Sequence, residues 1–199
     1  IRDETGVTLS DLNLGGGYGV RYTQEDEAID IPARLAELAA YLKEETERLG
    51  LPMPRFLMEP GRSIVADAGM TLYTVGSVKR IPGYKQYAAV DGGMTDNPRY
   101  ALYQSRYTVY HAHKSGSMER FDVVGRCCES GDIIQPGVEL PGDTCRGDIL
   151  AVCTTGAYNY SMASNYNRLP RPAVVMLTPD RIYEAVRRET FADLTGLDL

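Results

Sequence analysis

A short strand-like run, Leu9 to Leu14, empties into Gly15-Gly16-Gly17, and this junction constrains the chain more than any other stretch. Backbone without Cβ atoms turns sharply and approaches a ligand closely. A strand feeding such a loop is therefore either a plain βα turn or a place where N–H groups converge on a phosphate. No Gly-Lys-Ser/Thr follows, which excludes a Walker loop, and the G-x-G-x-x-G spacing of dinucleotide folds is absent. Downstream, Ile31-Pro32 predicts the start of a helix. Leu35, Leu38, Ala39, Leu42 and Leu49 recur at roughly helical spacing, with Glu37, Lys43, Glu44, Glu45 and Glu47 on the other side. The spacing predicts a surface helix that covers a sheet and ends at Gly50. Arg55 to Met58 then reads as a short buried parallel strand, closed by Glu59-Pro60-Gly61-Arg62. Strand–loop–helix–strand–loop is the rhythm of a parallel α/β fold, whose ligands gather at the carboxyl ends of strands. Both loops stand at that end.

After Ala66 the period changes. Thr71 to Val78 alternates like an antiparallel strand, and Gln86–Asp91, Tyr107–His113, Arg120–Val124, Ile149–Thr154 and Ala173–Thr178 are further strand-like runs between Gly, Pro and Asp turns. Tyr160–Tyr166 reads as a short helix, and Arg181–Glu189 as a strand or helix with a charged side. The predicted class is α+β, with one unit over residues 1–66 and a mostly antiparallel β unit over 67–199.

The chemistry-bearing stretch is Cys127-Cys128-Glu129-Ser130-Gly131-Asp132, between a strand-like run and a turn. A thiol beside a carboxylate at a loop edge suits a proton donor next to a cation-binding acid; it equally suits a half-buried cysteine beside a solvated glutamate. The four cysteines show no zinc spacing, and adjacent Cys127 and Cys128 cannot bridge without severe strain, so no metal site is expected. The net charge of −6 argues against nucleic acid, and no apolar run has the length of a membrane helix. With no secretory signal in view, reduced thiols and a cytoplasmic location are expected. The first residues, Ile1-Arg2-Asp3, look like a start within a larger protein.

In order along the chain, Gly15-Gly16-Gly17-Tyr18-Gly19, Glu59-Pro60-Gly61-Arg62-Ser63-Ile64-Val65, Asp91-Gly92-Gly93-Met94, Arg99-Tyr100-Ala101-Leu102-Tyr103, Cys128-Glu129-Ser130-Gly131-Asp132 and Gly156-Ala157-Tyr158 are six motifs. Ser164-Asn165-Tyr166-Asn167 and Arg171-Pro172 follow them. Together they resemble the pyridoxal-phosphate-dependent amino-acid decarboxylases built on a (β/α)8 barrel plus a β domain, nearest to the branch acting on meso-2,6-diaminopimelate. The resemblance runs from about Leu12 to the last residue. It implies that residues 1–66 are the last part of the barrel, and that the family's cofactor-bonding lysine lies outside this chain. None of Lys43, Lys79, Lys85 and Lys114 matches that position. The chain alone would then be inactive.

Carried over motif by motif, Gly17, Pro60, Gly61 and Arg62 would surround the cofactor phosphate, and Glu59 would sit against the pyridine nitrogen. Tyr158 would touch cofactor and substrate. Cys128 would donate the proton, Glu129 would bind the distal ammonium, and Arg62, Arg99 and Tyr103 would hold the carboxylate end. The resemblance also implies a homodimer whose Cys-Glu loop reaches the partner's site. Three alternatives stay open: Glu59 as a structural partner of Arg62, Arg99 as a solvent-exposed turn arginine, and a different substrate (ornithine, arginine or carboxynorspermidine). A non-catalytic dimerisation module is the remaining reading.

Overall fold

The computed structural model describes residues 2–199. A single helical turn, α1 (Arg2–Thr5), precedes β1 (Asp11–Asn13), the glycine loop, α2 (Ile31–Arg48) and β2 (Arg55–Leu57). β1 and β2 are parallel neighbours, with Leu12 opposite Phe56. α2 starts where its residues predict. Asp30 caps it by accepting the Ala33 N–H at 3.0 Å, and proline occupies the first turn, where no N–H is needed.

Two expectations fail here. α2 covers no sheet: none of its residues is buried, and Leu35 and Tyr41 are exposed. β2 is not buried either, since Arg55 and Leu57 both face solvent. The reason is the same for both. A two-stranded sheet offers too little surface to bury its own side chains or a helix face.

After a turn, α3 (Arg62–Val65), come β3 (Met70–Arg80), β4 (Gln86–Val90), α4 (Arg99–Tyr103), β5 (Val109–His111), β6 (Met118–Val124), β7 (Ile133–Pro141) and β8 (Ile149–Cys153). These strands form one six-stranded sheet in the order β5-β8-β3-β4-β6-β7. All neighbours are antiparallel except β4 and β6. The sheet curls until its two ends meet: the Tyr107 N–H, just before β5, donates to Gln135 of β7 at 2.8 Å. Alternate residues point inward, and Val75, Phe121, Val123, Ile134, Leu140, Leu150 and Val152 are fully enclosed. Burying each such side chain contributes about 1.5–3 kcal/mol, which makes this sheet the stable body of the chain.

β7 is the element the sequence hides, because Pro136-Gly137 reads as a turn. It lies at the sheet's edge, where a missing N–H leaves no ladder bond unmade. The chain closes with α5 (Asn159–Met162), a 3-10 turn (Tyr166–Arg168), the antiparallel hairpin β9 (Val174–Leu177) and β10 (Ile182–Val186), and α6 (Phe191–Thr195). No helix among the described residues is long and apolar enough to cross a membrane.

One close backbone approach decides where the Tyr158 segment sits. The Gly156 N–H donates to the Ala66 carbonyl at 2.9 Å, and a Cβ on Gly156 would stand 1.9 Å from the Val65 carbonyl oxygen. Only glycine lets the chain after β8 press against the end of α3.

Candidate functional site

The parallel pairing of β1 and β2 sets the two predicted loops side by side. Asn13, the last residue of β1, binds both. Its Oδ1 accepts the Gly15 N–H at 2.8 Å, and its Nδ2 donates to Glu59 Oε1 at 2.7 Å. The Glu59 N–H returns to the Gly15 carbonyl at 2.8 Å. A Cβ on Gly16 would lie 2.2 Å from the Glu59 carbonyl oxygen, so glycine is required there, whereas a Cβ on Gly17 would meet nothing within 4 Å. Gly16→Ala is therefore expected to destabilise the chain by up to about 3 kcal/mol, because backbone must move from backbone. Gly17→Ala should cost only the positive-φ term, about 1 kcal/mol. Urea unfolding of both variants checks the order; a Gly17 variant as unstable as the Gly16 one contradicts it.

Glu59 does not pair with Arg62. The Arg62 guanidinium lies 5.9 Å from the Tyr22 ring centre and 5.5 Å from that of Tyr158, within cation–π range of both. No ion pair to Glu59 occurs among the described residues, so its carboxylate is held in place by Asn13 alone. Tyr158 has φ +71, an uncommon conformation for a bulky residue that costs about 1–3 kcal/mol. That conformation brings its hydroxyl beside Gly61, 3.5 Å from where a Cβ would stand.

Arg99, on α4, is 6 % exposed, which rules out the exposed-turn reading. Its guanidinium lies 5.3 Å from the Tyr103 ring centre and 5.2 Å from that of Tyr158. Its Nε has no hydrogen-bond partner, and no carboxylate pairs with it among the described residues. The Met162 sulfur, at 4.0 Å from Nη1, is a weak acceptor at best. The amides of Asn97 and Asn159, also buried, carry unpaired atoms. A buried cation without an anion costs several kcal/mol, a common mark of a site waiting for one.

Cys128 and Glu129 lie on the loop from β6 to β7. Asp132, 5 % exposed, organises that loop from beneath: its carboxylate accepts the Met94 and Cys127 N–H groups, each at 2.6 Å. The Cys127 thiol is half-buried and pushed up by burial and then by Asp132. Cys128 is exposed, and its N–H donates to Asn167 Oδ1 at 2.8 Å. The Glu129 carboxyl is held below its usual range by the Gly131 N–H and then by the Tyr166 hydroxyl, which donates at 3.1 Å.

The structure thus brings Gly17, Glu59, Pro60, Gly61, Arg62, Tyr158, Arg99 and Tyr103 into one region. No hydrogen bond, ion pair or ring contact among the described residues joins Cys128 or Glu129 to Gly17, Glu59 or Arg62 of the same chain. Sequence reasoning missed Asn13 and Asp132 as organisers. Their partners, Glu59 and Met94, lie 46 and 38 residues away, and no local pattern signals such pairs.

The family profile described as "Pyridoxal-dependent decarboxylase, C-terminal sheet domain" matches residues 18–156. The diaminopimelate decarboxylase of Bacillus subtilis is 48 % identical over the whole of this chain, which covers 45 % of that protein. The crystal structure of diaminopimelate decarboxylase from M. jannaschii superposes with a TM-score of 0.92 at 32 % identity, over all of this chain and 45 % of that one. The same enzyme in complex with L-lysine gives 0.88 with the same coverage. The chain spans less than half the length of these relatives. From the matched sheet domain and the whole-chain likeness together, the chain belongs to the pyridoxal-dependent decarboxylase family.

Proposed function

We propose that this chain is the C-terminal part of a pyridoxal-phosphate-dependent diaminopimelate decarboxylase, which converts meso-2,6-diaminopimelate to L-lysine and CO2. The observation that carries the reading is Arg99, buried beside Tyr103 and Tyr158 without a carboxylate partner. Diaminopimelate brings a distal carboxylate to it; ornithine does not. An arginine fork matches a carboxylate with two parallel bonds. An ornithine enzyme would leave the same cation buried and unpaired. The relatives' names point the same way.

The residues fit the cofactor. Gly16 admits no Cβ, Gly17 opens onto free space, and the Glu59 carboxylate has no cationic partner among the described residues. Gly17, Pro60, Gly61 and Arg62 would hold the phosphate; Glu59 would keep the ring nitrogen protonated; Tyr158 would lie against the cofactor. When bound, pyridoxal phosphate supplies the sink for the electron pair left as CO2 departs. Glu129, an anion at neutral pH, takes the distal ammonium. Arg99 and Tyr103 take the distal carboxylate, and Arg62 assists them. Cys128 delivers a proton to the α-carbon.

In this reading the enzyme is a homodimer. Cys128 and Glu129 complete the partner subunit's site, consistent with the lack of contact between them and Glu59 within one chain. Residues 1–66 belong to the barrel and 67–199 to the β domain. The protein works in the cytoplasm, where its four free cysteines stay reduced.

The test is CO2 release by the full-length protein loaded with pyridoxal phosphate. Meso-diaminopimelate should be decarboxylated with a kcat/KM at least about a hundredfold above that for ornithine, as expected when a buried polar site is left unmatched. Equal or faster turnover of ornithine would refute the assignment.

A further inference from the structure

Among the described residues, the stretch Ser164–Arg171 makes no hydrogen bond or ion pair to Glu59 or Arg99, yet it grips the loop that bears Cys128 and Glu129. Asn167 Oδ1 accepts the Cys128 N–H at 2.8 Å, and the Tyr166 hydroxyl donates to Glu129 Oε2 at 3.1 Å. Apart from these, the exposed part of that loop is held mainly by its own turns, such as Glu129 N–H to the Cys127 carbonyl. Asn167 and Arg168 both have left-handed backbone, at φ 55 and 57. Asparagine tolerates that conformation and arginine does so at a cost. The strain therefore sits where the stretch meets the Cys-Glu loop.

What holds the strained turn is a carboxylate from beyond β10. Glu189 accepts from Asn165 Nδ2 at 2.6 Å, from the Arg171 N–H at 2.8 Å and from Arg171 Nε at 2.7 Å. Asn165 Nδ2 also donates to the Leu169 carbonyl at 3.0 Å, closing the turn over the three residues between. The far end is fixed too, because the Ser164 N–H donates to the Thr95 carbonyl at 2.8 Å. Thr95 adjoins Met94, which Asp132 holds. The Arg171 guanidinium, its N–H and Asn165 together keep the Glu189 carboxyl down at about 2, so the clamp is charged throughout the physiological range.

We propose that Asn167 and Tyr166 are positioning residues that set Cys128 and Glu129 for reaction, and that Glu189 holds the turn presenting them. The inference rests on the reading of Cys128 as proton donor and adds to it where that thiol gets its fixed aim. Asn167 acts through the backbone of Cys128 and touches no reacting atom.

The experiment compares Asn167→Gly, Asn167→Asp and Glu189→Gln in the full-length enzyme with pyridoxal phosphate, with Cys128→Ala alongside. Glycine keeps the left-handed backbone and loses the acceptor; aspartate keeps both. Amide hydrogen exchange in the Cys128 peptide should speed up about tenfold in Asn167→Gly, the loss of one hydrogen bond, and be restored in Asn167→Asp. kcat on meso-diaminopimelate should fall about 10- to 100-fold in Asn167→Gly and Glu189→Gln, as for a misaimed group, with KM changed far less. Asn167→Asp should recover most of that kcat. The proposal is overturned if exchange speeds up while kcat holds, or if aspartate fares no better than glycine. Failure of the underlying reading looks different: Cys128→Ala would then keep full kcat, and both ideas fall together. A large loss in Cys128→Ala with none in Asn167→Gly sinks the positioning role alone.

Discussion

Cys128→Ala in the full-length protein is expected to lower kcat on meso-diaminopimelate by about 10²- to 10⁴-fold, the usual contribution of a positioned general acid. Pyridoxal phosphate should still bind, because the residues proposed to hold it (Gly17, Glu59, Pro60, Gly61, Arg62 and Tyr158) are untouched by the substitution. The neighbouring thiol is no substitute. Cys127 is half-buried, its N–H is tied to Asp132, and burial holds its thiol above the ordinary range. Cys127→Ala should accordingly cost less than about tenfold. Steady-state rates, with cofactor absorbance as the control for binding, check both variants. In deuterated water, product from the Cys128 variant should also show loss of single-face deuterium at the α-carbon. A Cys127 variant worse than the Cys128 variant would assign the proton to the wrong thiol.

Arg99→Met should produce two changes of opposite sign. kcat/KM for diaminopimelate is expected to fall about 10²- to 10³-fold, equivalent to roughly 3–4 kcal/mol for a broken buried ion pair. The ligand-free protein should meanwhile melt at the same or a higher temperature. Arg99 is 6 % exposed with no carboxylate partner among the described residues, and an apolar side chain of similar length removes that penalty. Arg99→Lys should rescue activity poorly, since an ammonium offers no two-pronged fork. Thermal melts of ligand-free protein and substrate saturation curves give both readouts. If Arg99→Met lowered the melting temperature and left kcat/KM for diaminopimelate unchanged, the arginine would be structural.

Much of the fold is written in local patterns. The 18-residue helix α2 begins and ends within a residue or two of its Asp30-Ile31-Pro32 and Gly50 signals. Period-2 alternation located β3, and strand-like runs between Gly, Pro and Asp turns located β4, β5, β6, β8 and β9. β7 escaped because a proline and a glycine sit mid-strand, and only its place at the sheet edge makes them tolerable. The exposed leucines of α2 were misread because periodicity reports an apolar face without saying what lies against it. At the site, the motif residues were legible as types. Their pairings were not: Asn13 with Glu59, and Asp132 with Met94, are joined only once distant loops fold together.

The strand order has a consequence for the time the protein spends unfinished. β3 and β8 are neighbours, and the hydroxyls of Thr71 and Thr155, which meet beside that pairing, belong to residues 84 apart in sequence. During synthesis at about 5–20 residues per second, one side of β3 waits roughly 4–17 s for its partner to be made. Met70, Thr71, Leu72, Tyr73 and Thr74, the segment that waits, carry no charge to discourage pairing with a neighbouring nascent chain. Until β8 arrives, mutual repulsion of these acidic segments, −6 over the 199 residues, opposes such pairing.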